Sequence, residues 1–120
     1  MNFSAAIQAH TSWKLRLAAA CAGSSSDKID VDSLVKDNTC ELGKWLHGGG
    51  RRFADDPTFD ELVAAHAAFH LAAAAIAKMI GLGKKAEAEA LINTRESELG
   101  KLSLRVVSIL MGFRTRYGDT

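Results

Sequence analysis

Residues 59–83 read FDELVAAHAAFHLAAAAIAKMIGLG. Phe59, Leu62, Val63, His66, Phe69, His70, Ala73, Ile76, Ala77 and Ile80 recur at steps of three and four, the period of one helical face. Gly81 and Gly83 break the rhythm, and Pro57 with Asp56 or Thr58 as cap marks its start. The spacing predicts an amphipathic helix whose two histidines both lie on the apolar side. Its longest uninterrupted apolar run, Leu71 to Ala77, is far below the ~18 to 20 residues that cross a bilayer, so a buried helix is expected and no membrane partner.

Working towards the C-terminus, Ala88, Leu91, Arg95, Leu99, Leu102, Val106, Ile109, Phe113 and Tyr117 keep the same rhythm until Gly118. A helix from about Lys84 to Tyr117 would reach roughly 50 Å at the usual rise per residue. Leu104, Val107 and Leu110 lie off its main stripe, which predicts a second apolar surface and a homodimer. Towards the N-terminus, Leu42, Trp45 and Leu46 face inward and Gly48 to Gly50 stop their helix, which runs either from Ser33 or from a cap at Asn38 answered by Glu41. A first helix follows a cap at Asn2 or Ser4, carries Phe3, Ile7, His10, Leu17 and Cys21 on one stripe, and ends at the Gly and Ser cluster of Gly23 to Asp27. Four amphipathic helices on short connections predict an all-α, antiparallel four-helix bundle with a long C-terminal helix, one domain over residues 1–120.

Composition agrees. Hydrophobic residues make up 48% and charged residues 24%, which excludes a disordered chain, and a single Pro with 7% aromatics argues against a β-sandwich. A formal charge of +1 lacks the basic footprint that nucleic acid requires. Lys14 and Arg16 before Leu17 and Cys21 imitate a lipoprotein signal, but the apolar stretch between them is too short. A cytoplasmic, unprocessed chain is expected.

The chemistry lies in four side chains. His66 and His70 stand at i, i+4 on one helix face, where two imidazoles can chelate one ion, and His10 sits on the core stripe of another helix. Each histidine taken alone reads as a core residue with ordinary hydrogen bonds. Three together demand more partners than the neighbouring Ala, Val, Leu and Phe supply, and a shared metal would meet that demand. Cys40 completes a His3Cys set of zinc type, with no carboxylate and no open position. If its helix begins at Asn38, Cys40 lies in the first turn, where amides and the helix dipole favour a thiolate. Cys21 reads as a small buried hydrophobe, Trp13 and Trp45 as core anchors, and His47 beside Gly48 to Gly50 and Arg51 as a solvated connection.

Three motifs, His10-Thr-Ser-Trp13, Cys40-Glu-Leu-Gly-Lys-Trp45-Leu and His66-Ala-Ala-Phe69-His70, together resemble the chemoreceptor zinc-binding (CZB) domain family, in order and spacing, from His10 to the end of the last helix. The resemblance implies a helical bundle, usually a homodimer, holding one zinc per subunit through His10, Cys40, His66 and His70. It also implies a bacterial cytoplasmic sensor of zinc or of oxidants such as hypochlorous acid, and no enzyme. Relatives are commonly joined to signalling domains. At 120 residues this chain has no room for one, so either a free-standing member, with a signalling partner in trans, or a cut-out sensor domain is expected.

Overall fold

The Asn2 side chain accepts a hydrogen bond from the Ala5 N–H at 2.9 Å and opens the first helix, α1 (Phe3–Ala22), which Gly23 closes with a φ of 72°. This computed structural model describes residues 1–23 and 29–119. The loop expected over Gly23 to Asp27 lies, from Ser24 onward, outside the described residues. All regular structure among the described residues is helical: α2 (Val31–Leu34), α3 (Glu41–Leu46), a 3-10 turn over Gly49–Phe53, α4 (Phe59–Gly81), α5 (Lys85–Asn93) and α6 (Glu98–Tyr117). The helices pack as a bundle around one apolar core, with the long C-terminal helix that the sequence predicts.

The helix directions follow from contacts at one end. Phe3, at the start of α1, stacks on Phe113 near the end of α6, with ring centroids 5.8 Å apart. Asp56 and Thr58, just before α4, take hydrogen bonds from Arg116 at 3.0 and 3.2 Å at that same end of α6. Helices α1 and α4 therefore run side by side in one direction, and α6 returns antiparallel to both. This alignment brings the eighth residue of each of α1 and α4, His10 and His66, to the same level.

Two expectations are corrected. The single helix from Lys84 to Tyr117 is broken over Thr94–Ser97: Thr94 is extended, and the Ser97 side chain accepts from the Gly100 N–H while donating to the Leu91 carbonyl. A short hydroxyl side chain here outcompetes the continuing helix for backbone partners. The longest dimension of the chain is 43 Å, too short for the expected rod. Leu110 is fully buried and belongs to the core, whereas Leu104 is 69% exposed.

The apolar helix α4 is long and apolar enough to cross a membrane by length and composition, but its Leu62, Phe69, Ala73 and Ile76 are buried in the bundle core. Between α1 and α4 the chain is held by short pieces. Trp45 packs edge-on against Phe3 at 5.5 Å and against Phe53 at 5.8 Å, which anchors α3 to the aromatic end of the bundle.

Candidate metal centre

Cys40 lies inside neither of the helices that the sequence allowed, one from Ser33 and one capped by Asn38. It is the N-cap of α3, and its Sγ accepts the Gly43 N–H at 3.3 Å. Glycine is required at 43, because a Cβ there would lie 1.7 Å from the Asp37 carbonyl oxygen. The tight pass of α3 over the Asp37 turn is what aims Cys40 inward, towards α4.

Opposite it, His66 and His70 project from successive turns of α4, and His10 reaches across from α1. All three imidazoles are buried and Cys40 is half-buried. Cys40 Sγ stands 3.2 Å from His66 Nε2 and 3.5 Å from His70 Nε2, and the two Nε2 atoms are 3.0 Å apart. One donor atom from each of the four residues lies within 4.8 Å of the others.

Hydrogen bonds on the far side of two rings set the tautomers. His70 Nδ1–H donates to the Leu34 carbonyl of α2 at 2.9 Å, and His10 Nδ1–H donates to Ala6 at 2.8 Å. A carbonyl only accepts, so each neutral ring presents an Nε2 lone pair to the cluster. His10 Nε2 is buried without a hydrogen-bond partner. Such an orphan is costly in an apolar interior, and a cation among the lone pairs removes the cost. The distances fit: a tetrahedral zinc ion would set nitrogen pairs about 3.4 Å apart and sulfur–nitrogen pairs about 3.6 Å apart.

Electrostatics favour the ligand forms of the histidines. Burial first, then the neighbouring His10 and His70, push His66 down to about 3, and burial lowers His10 as well. Both are neutral near pH 7, as metal binding requires. The thiol behaves otherwise. Burial raises Cys40 above its ordinary value and outweighs the Gly43 and Leu42 amides that pull it down, so the helix start does not by itself yield a thiolate.

Over residues 10–77, more than half of its length, the chain matches the chemoreceptor zinc-binding domain. It belongs to that family. No curated protein and no solved structure matches it. The matched span of this CZB domain contains His10, Cys40, His66 and His70, and it ends at Ala77, earlier than the resemblance suggested. Zinc binding follows for the CZB domain from its family and from the His3Cys cluster together.

The other candidates stay apart from the cluster. His47 faces Asp37 at 3.3 Å on the outer side, and Cys21 is buried at the far end of α1, donating to the Lys85 carbonyl at 3.1 Å. Sequence reasoning missed the Ala6 and Leu34 carbonyls, which leave no side-chain signature. It also missed Gly43, whose visible signal was a glycine inside an otherwise helical ELGKWL.

Proposed function

We propose that His10, Cys40, His66 and His70 hold one zinc ion and that Cys40 is the ligand through which this CZB domain responds to oxidants, of the hypochlorous acid type, or to zinc supply. The observation that carries this reading is the asymmetry of the four: three imidazoles are buried on two long helices, whereas Cys40 is half-buried at the tip of a six-residue helix. A bound zinc ion supplies the charge that keeps the Cys40 sulfur as a thiolate, the form electrophiles attack. Oxidation of Cys40 to a sulfenic acid turns a strong donor into a poor one. Its grip on α3 would then loosen. The pieces that move most cheaply are α2 and α3, since the long helices are held by the core.

Four protein donors leave no position for a substrate water, which favours a sensory or structural site over a hydrolytic one. A purely structural or zinc-buffering site is the second reading, favoured by the complete burial of His66. We further propose a homodimer, a cytoplasmic setting and a signalling partner in trans.

Elemental analysis of the purified chain should give one zinc per chain, and replacing any of the four donors should lower occupancy or affinity. Cys40→Ala should keep the fold and some zinc through the histidines while losing the oxidant response. A response unchanged in that variant would end the redox reading, and zinc removal that simply unfolds the chain without a distinct folded state would favour the structural one.

A further inference from the structure

Cys40 lines two separate cavities. One, of 710 Å³, is a mainly apolar groove between α1 and α3 formed by Ala5, Ala6, Ala9, Leu42 and Trp45, with His10 on its wall and the exposed Asn2, Glu41 and Lys44 also lining it. The other, of 310 Å³, lies between α1 and α2, where Arg16, Asp30, Ser33 and Thr39 share the lining with Cys40 and His70. We propose that this second, polar cavity is the path by which small polar reactants reach the Cys40 sulfur, with Arg16 as the positioning residue. The proposal rests on the reading of Cys40 as the reactive ligand and adds the route and the class of reactant.

The lining chemistry separates the two routes. A hydroperoxide entering the apolar groove loses its hydrogen bonds to water with little in return, which is costly. The polar cavity replaces them with the Arg16 guanidinium and the Ser33 and Thr39 hydroxyls. Its one acid is engaged: the Asp30 carboxylate caps α2 by accepting the Ser33 N–H at 3.3 Å. Arg16 is held in place by the Trp13 ring, 3.8 Å beneath its guanidinium.

With hydrogen peroxide, the Cys40 thiolate forms a sulfur–oxygen bond to one oxygen and the oxygen–oxygen bond breaks. Sulfur is oxidised by two electrons, the peroxide is reduced, and the departing oxygen leaves as hydroxide, which the buffer acid protonates to water. Negative charge gathers on the departing oxygen, and a guanidinium on the cavity wall stabilises it. Iodoacetamide probes the same path: a sulfur–carbon bond forms at Cys40 and iodide leaves as an anion.

The test uses the zinc-loaded chain and two readouts, alkylation of Cys40 by iodoacetamide followed by mass spectrometry, and zinc release by hydrogen peroxide followed with a chelating dye. Arg16→Gln should slow both by about tenfold, Arg16→Lys should restore most of the rate, and Ser33→Trp should slow both by obstructing the cavity. Ala9→Leu, which narrows the apolar groove, should leave them unchanged. Zinc content should be equal in all variants, which guards against a folding defect. Slowing by Ala9→Leu with no effect of Arg16→Gln or Ser33→Trp would overturn the route, as would equal rates in every variant. If alkylation follows the expected pattern while peroxide releases no zinc, the route stands and the oxidant reading of Cys40 falls.

Discussion

Gly43 does at the metal centre what no other residue could do in its place. Its missing Cβ lets the first turn of α3 lie on the Asp37 carbonyl, and its N–H holds the Cys40 sulfur. Gly43→Ala should therefore shift Cys40 away from the histidines and lower zinc affinity about tenfold, with roughly 1–3 kcal/mol of stability lost to the forced backbone shift. Gly49→Ala is the control, since a Cβ there meets nothing within 4 Å. Competition titration with a zinc chelator, alongside urea unfolding, would check both variants, and equal affinities would refute the role given to Gly43. The grouping of the three histidines was legible, because imidazoles on apolar helix faces need partners that Ala and Phe cannot supply. The tautomer-setting bonds to Ala6 and Leu34 were not, because any residue type carries a carbonyl and only the folded path decides where it points. The same reason hid the state of the Cys40 thiol: its position near a helix start was readable, but its burial was not, and burial prevails.

Ser97 divides α5 from α6, a break the hydrophobic period runs straight across. Leu91 and Leu99 keep the stripe in register on both sides, so periodicity carried no sign of the interruption, whereas the hydroxyl that caps Gly100 and binds Leu91 decides it locally. Ser97→Ala should cost about 1 kcal/mol, the ordinary worth of such a cap, visible as a lowered melting temperature with zinc stoichiometry unchanged. A second tie joins the start of α4 to the end of α6. Burial works against a charge on Asp56, but hydrogen bonds from Tyr117 and Thr58 and the Arg116 charge prevail and hold its carboxyl well below the usual range. A carboxyl depressed in the fold binds its proton more readily when unfolded, so its contribution is complete above the unfolded value of about 3.9 and is lost as pH falls from there towards the folded value. The gap in urea midpoint between the parent chain and Asp56→Asn should therefore be widest at pH 6 and should narrow, without closing, as pH falls to 3. A gap of the same size at pH 6 and at pH 3 would show that the carboxylate is not what Asn replaces.

On the scale of the whole molecule, the bundle satisfies its core yet leaves one apolar stripe uncovered. Leu104 and Val107 on α6 line a shallow cleft with Thr11 and Lys14 of α1, Leu15 follows Thr11 one turn on, and Met111 continues the α6 row. Leu15 is 74% and Leu104 69% exposed, at positions where a single-chain bundle would carry charge. A two-fold pairing of α1 and α6 faces would bury the stripe against its own copy, and a stable interface of this kind needs about 800 Å² from each partner. The location matters for signalling because α1 also carries His10, so a change at the metal centre and the proposed interface share one rigid element. Sedimentation of the zinc-loaded chain at micromolar concentration should give a dimer, and Leu15→Glu with Leu104→Glu should give a folded monomer that still holds one zinc. A parent chain that sediments as a monomer would rule out the pairing. If the double variant instead stays dimeric, the α1–α6 face is not the interface, and a route from His10 through that face to a partner copy goes with it.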